Sequence, residues 1–117
     1  MGIARGGPGR RISELEGRVG EAMRERGVAR RDALAGLSDE ELRDLDCVLQ
    51  VARHALARQE AGGLAERALE EVVGIAEEAA AAAELAEGRA AELLAMAEAA
   101  VERMREASSR AGGGPPA

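Results

Sequence analysis

From residue 69 to residue 104 the chain carries an apolar residue at every first and fourth place of a seven-residue repeat. Leu69, Ala76, Ala83, Ala90, Ala97 and Met104 hold the first place, and Val72, Ala79, Ala86, Leu93 and Ala100 hold the fourth. A period of 3.5 residues sustained in this way predicts a helix with one continuous seam. Glu70, Glu77, Glu84 and Glu98, with Glu71, Glu78, Glu92 and Glu106, fall on the opposite, wet face. The seam is mostly alanine, so a neighbouring helix must approach closely and each contact contributes little. Val73, Ile75, Leu94, Met96 and Val101 flank it and widen the apolar face beyond a two-stranded seam, as a bundle helix needs.

So thin a seam matters because the rest of the chain offers little to compensate. Of 117 residues, 27 are Ala, only 22 are Leu, Ile or Val, and none is Phe, Tyr or Trp. That is the edge of the composition at which a chain of this length forms a core. The expectation is therefore an elongated helical assembly or a partner that covers what one chain cannot.

Two further helices precede the repeat, and no stretch alternates as a strand does. The first is expected over about 12–26, with Ile12, Leu15, Val19, Ala22 and Met23 on one face and Gly17 and Gly20 weakening it. Gly27 ends it, and a short helical turn at 29–35, closed by Gly36, follows. The second, over about 39–60, has the clearest start. Ser38 and Glu41 form a capping box, Leu37 and Leu42 suit a hydrophobic staple, and Asp39, Glu40 and Glu41 suit the positive end of the helix dipole. Its stripe is Leu42, Leu45, Val48, Leu49, Ala52 and Leu56, and Gly62 and Gly63 stop it.

The third helix is expected over about 64–107, ~65 Å long at 1.5 Å per residue. Unbroken, it would fold back over the first two laid end to end. Broken at Gly88, it would complete a four-helix bundle. Both remain open. Residues 1–11 read as a disordered basic arm, residues 12–107 as one helical domain and residues 108–117 as a disordered tail.

The chemistry is narrow. Lys, Asn and Thr are absent and all 16 basic residues are Arg, so there is no Schiff-base lysine and no P-loop lysine. Without aromatic residues there is no base-stacking platform and no cation cage. A single Cys makes no internal disulfide and no zinc cluster and fits a reducing cytosol, and a cytoplasmic location is expected. Arg5, Arg10 and Arg11 lead into Ser13 and Glu14 rather than an apolar run, so no leader is read, and no run is long enough for a membrane span.

Cys47 and His54 stand two turns apart on the second helix, ~10 Å by helical rise, too far to act as a nucleophile–base pair. A metal there would need Glu40, Asp44 or a second subunit. With Val51 between them they make at most a small contact patch. The glutamate pairs 70–71 and 77–78 read as solvated. No catalytic, cofactor-binding, metal-binding or small-molecule site is assigned.

The charge is divided. Residues 1–31 carry eight Arg against four Glu, whereas residues 64–107 carry four Arg against eleven Glu, for a net charge of −6 over the chain. Arg5, Arg10 and Arg11 could touch phosphates without sequence preference.

Ile12-Ser13-Glu14-Leu15-Glu16-Gly17-Arg18 resembles the opening of the long helix that follows the wing in MarR-type winged-helix regulators. Ala35-Gly36-Leu37-Ser38-Asp39-Glu40-Glu41-Leu42, with Leu45 and Leu49, is similar to that family's last-helix entry. The resemblance covers residues 12–59 and implies dimerising helices. The residues before 12 do not match the family's DNA-reading part, so its DNA binding is not implied.

The sequence thus points to an all-α, non-enzymatic protein that self-associates or binds a partner helix through two surfaces. One is Leu42, Leu45, Leu49 and Leu56. The other is Leu69, Val72, Ala76, Ala79, Ala83, Ala86, Ala90, Leu93, Ala97 and Met104. The alternative is an accessory factor that contacts nucleic acid through Arg5, Arg10 and Arg11.

Overall fold

A computed structural model describes residues 7–27, 33–60 and 66–112. The described residues form four helices and no strand: α1 (Pro8–Gly27), α2 (Asp39–Glu60), α3 (Glu66–Glu84) and α4 (Arg89–Gly112).

α1 begins earlier than the apolar spacing implies. Pro8 opens it, a position where the missing N–H costs nothing, and the Arg11 N–H donates to the Gly7 carbonyl at 3.2 Å. Residues 8–11 are therefore helix rather than arm. They read as arm because two adjacent arginines look solvated, yet Arg11 sits one turn before Leu15 on the buried face. Residues 1–6 of the expected arm lie outside the described residues. At the other end, α4 continues through residues 108–112, which were expected in the tail.

α2 starts on the capping box as read from sequence. The Ser38 N–H donates to Glu41 Oε1 at 2.9 Å, and the Glu41 N–H donates to Ser38 Oγ at 3.1 Å. Leu37 and Leu42, the staple pair, are both buried.

The expected third helix is two helices. It breaks over residues 85–88, where the Glu87 N–H donates to the Ala82 carbonyl and the Ala86 N–H to the Ala83 carbonyl, both at 3.0 Å. Those paired bonds are a Schellman closure, which needs a left-handed residue at its centre. That residue is Ala86, with φ 57°, and not Gly88 two positions on. The expectation of three main helices is corrected to four.

The break lets α4 turn back antiparallel on α3, the most extensive helix pairing in the molecule. Ala76, Ala79, Ala80 and Ala83 of α3 and Ala90, Ala97 and Ala100 of α4 are closed to solvent. Their small side chains let the two backbones approach, and dispersion over many short contacts replaces a few large ones. α2 supplies the bulk with Leu42, Leu45 and Leu49, all fully buried. α2 packs on the three other helices and so does α3, whereas α1 and α4 do not meet. The cross-section is accordingly flat, with extents of 55 × 34 × 23 Å.

At one end of the bundle the α1–α2 connection docks on the α3–α4 turn. The Gly36 N–H donates to the Ala83 carbonyl at 2.9 Å. A Cβ on Gly36 would lie 2.9 Å from Ala83 Cα and 2.9 Å from the Glu87 carbonyl oxygen, so glycine is required here for space. The left-handed residue of this connection is Leu34, with φ 51°. A helical turn closed by Gly36 is thereby corrected, because a residue in that conformation cannot lie within a right-handed helix. Residues 29–32 of that expected turn lie outside the described residues. Gly36→Ala is expected to destabilise the fold by about 2 kcal/mol or more, the cost of forcing atoms into a packed contact. Thermal melting followed by circular dichroism at 222 nm measures it.

Candidate interaction surface

The two apolar stripes expected to meet a partner meet each other. Leu42, Leu45, Leu49, Leu69, Val72, Ala76, Ala79, Ala83, Ala90, Leu93, Ala97 and Met104 are all buried within the single chain, and Leu56 is half-buried against the same core. Ala86 departs from the seam and is exposed in the α3–α4 turn. The expectation that one chain could not cover these stripes is corrected by the fold-back of α4, which the unbroken reading of residues 64–107 had not required.

Among the described residues, the large apolar side chains that stay exposed lie on the α3–α4 hairpin. Leu85 is 71% and Met96 53% exposed, and Ile75 is half-buried. Arg103 of α4 pairs with Glu71 of α3 at 3.0 Å across this hairpin. Ile75 is one turn along from Glu71, while Ala99 and Met96 are one and two turns back from Arg103. Helical spacing therefore sets all three on the side marked by that ion pair. One flank of the seam contributes Val73, Leu94 and Val101 to the core, and the opposite flank leaves Ile75 and Met96 toward water. Sequence grouped the five together because they share positions next to the seam. Which of them a third helix covers depends on where α2 packs.

The three arginines of the expected nucleic-acid arm part company. Arg5 lies outside the described residues. Arg10 is exposed and pairs with Glu14 one turn on. Arg11 is inside the bundle contact: its Nε and Nη2 donate to the two carboxylate oxygens of Glu77 at 3.0 and 2.7 Å, and its Nη1 donates to Glu70 at 2.9 Å. The Glu77 hydrogen bonds raise the guanidinium pKa further above its ordinary value. Burial opposes this and the Glu70 bond adds to it. Arg11 and Glu77 form the two-pronged pairing that makes arginine directional. With Arg18 on Glu84, it aligns α1 parallel to α3. On the other side, Arg53 reaches Glu16 and Ser13, and α1 runs antiparallel to α2.

Arg26 is a second buried arginine that the sequence did not single out. Its Nη1 donates to Asp39 Oδ1 at 3.0 Å, and its Nη2 donates to the carbonyls of Ala33 and Leu34 at 3.0 and 2.6 Å. It ties the end of α1 to the connection and to the first turn of α2. The only available signal was its place in the last turn of a helix that ends at Gly27.

Cys47 is a free, exposed thiol and His54 is exposed two turns on, with Val51 half-buried between them. Among the described residues no three His, Cys, Asp or Glu side chains gather as metal ligands. No helix there is long and apolar enough to cross a membrane. Between α2 and α4, Glu98 faces Asp44 and Glu41. Its pKa is raised by partial burial first and by those two carboxylates next.

Two measurements test these assignments. Arg11→Ala removes the guanidinium that Glu70 and Glu77 share and is expected to cost about 2 kcal/mol in urea unfolding, whereas Arg10→Ala changes stability by less than about 0.5 kcal/mol. Because the folded chain holds the Glu98 proton more tightly than the unfolded chain does, Glu98 makes stability rise as the pH falls from neutral through the raised value toward the ordinary one. Glu98→Gln removes that rise and, at about pH 7, stabilises by a few tenths of a kcal/mol, the scale of one relieved like-charge contact. Urea midpoints at about pH 7 and about pH 5 for both chains give the comparison.

Comparison with protein-family models, with curated proteins and with solved structures finds no match for this chain.

Proposed function

We propose that this protein is a non-enzymatic helical interaction module that associates with itself or with a partner helix. The observation that carries the reading is the exposure of Met96 beside half-buried Ile75 on the outer side of the α3–α4 hairpin. A helix that set its own apolar stripe between Ile75, Met96 and Ala99 would extend the bundle by the packing that already joins α3 to α4. The nucleic-acid alternative is weaker because Arg11 is committed to Glu77 and Glu70, which leaves Arg10 as the exposed arm arginine among the described residues.

Met96→Glu tests the reading. The side chain is more than half exposed, so the fold tolerates the change within about 0.5 kcal/mol. A charge placed in an apolar contact opposes association. The expected result is unchanged melting and a loss of at least tenfold in affinity for rapidly reversible docking at this face, by a second copy or a partner, read by light scattering on dilution and by quantitative pull-down. Unchanged association in both would set this face aside.

A further inference from the structure

We infer that the α3–α4 turn is a hinge, and that its opening exchanges α4 between two copies of this chain to give a domain-swapped dimer. The inference rests on the self-association reading above and gives it a specific partner and route. Three features of residues 84–89 carry it.

The first is composition. Glu84, Leu85, Ala86, Glu87 and Arg89 are residues that favour the interior of a helix, and the segment holds no Pro and one Gly. It is built like a helix and bent like a turn. The second is strain. The residue at the left-handed centre of the closure is Ala86, φ 57°, where its Cβ crowds the following carbonyl and glycine would not. A short connection under strain is the setting in which swapping is favoured. The third is phase. Ala83, Ala86 and Ala90 keep the first-fourth-first places of the seven-residue repeat straight through the turn. A continuous helix over 66–112, ~70 Å long by its rise, would therefore present one unbroken seam. A connection that only had to reverse the chain is under no requirement to preserve that register.

Opening sacrifices little. In the closed form α4 packs on α2 and α3 of its own chain, and in the swapped form it packs on the same surfaces of the second copy. The Arg103–Glu71 pair is re-made between chains. The Schellman bonds at Ala82 and Ala83 are exchanged for ordinary helical ones, and Ala86 returns to a right-handed conformation. What holds the hinge closed is the docking of the α1–α2 connection, through the Gly36 N–H on the Ala83 carbonyl and the close fit of Gly36 to Glu87, together with the entropy of association.

Two substitutions push the equilibrium in opposite directions without disturbing the core. Gly88→Ala favours the continuous helix. A Cβ at Gly88 meets nothing within 4 Å in the closed form, so the change does not force opening by collision. At the ordinary glycine-to-alanine difference it is worth about fivefold per hinge, or about twenty-five-fold in dimer formation, since each dimer holds two hinges. Ala86→Gly relieves the closed turn and weakens the continuous helix, so it reduces dimer formation by at least as much. Wild type, both variants and Met96→Glu are each refolded at a series of concentrations. Mass is measured by light scattering, with concentration from refractive index because the chain has no Trp or Tyr.

The expected result is a slowly exchanging dimer, enriched in Gly88→Ala, depleted in Ala86→Gly and retained in Met96→Glu. Its maximum dimension by small-angle scattering should be near twice the 55 Å length of the single bundle. A dimer indifferent to both hinge variants and lost in Met96→Glu overturns the swap and leaves the outer-face reading standing. A Gly88→Ala chain that stays monomeric at every concentration overturns the swap outright, while pull-down with the native chain decides the broader reading separately.

Discussion

The bundle depends on how closely α3 and α4 approach. Each buried alanine contributes about the transfer energy of one methyl group, so the pairing gains its strength from number and proximity. That constraint propagates outward. The two backbones can close only if the chain reverses within four residues after Glu84, and the reversal places the Ala83 carbonyl and Glu87 where the α1–α2 connection must meet them. The connection meets them at a glycine because no larger residue fits. α2 then packs against the hairpin with Leu42, Leu45 and Leu49, all fully buried. The alanines set the geometry, and larger side chains such as Leu42, Leu45, Leu49, Leu69 and Val72 supply the apolar volume around them.

Arginine does the aligning that large apolar side chains do elsewhere. Arg11 is buried with the core, and its pairing with Glu77 and Glu70 holds α1 in a defined register along α3. Arg26 performs the corresponding task at the opposite end, where two backbone carbonyls and Asp39 accept from it. Both exploit a fork of donors that lysine lacks.

Much of this architecture was legible in the residues. The core faces of α2, α3 and α4 follow from the spacing of Leu42, Leu45, Leu49 and the seven-residue repeat, and the start of α2 follows from Ser38 and Glu41. What was not legible has a physical reason in each case. Gly88 marked the reversal, which spans residues 85–88, but the residue that closes it was hidden because Ala86 takes a conformation that sequence assigns to glycine. The early start of α1 was hidden because Arg11 is polar and its acceptors, Glu70 and Glu77, lie in a different helix. The apolar stripes were expected to need a partner because periodicity reports which side of a helix is apolar, not whether the covering surface belongs to the same chain. The repeat sets Val73 and Leu94 on one flank and Ile75 and Met96 on the other, but which flank is covered was known only once α2 was placed.

The placement of α1 has a dynamic consequence. It touches α2 and α3 but not α4, and its Gly17 and Gly20 face no neighbouring element within reach of a side chain. A helix bound on one side and weakened from within opens at lower free energy than the helices it leans on. Protection against amide exchange should therefore fall across the width of the molecule, highest in the alanine-lined hairpin and lowest in α1. The chain would then possess a partly unfolded state in which α2, α3 and α4 persist as a three-helix remnant, with the faces of α2 and α3 that α1 covers newly open to water.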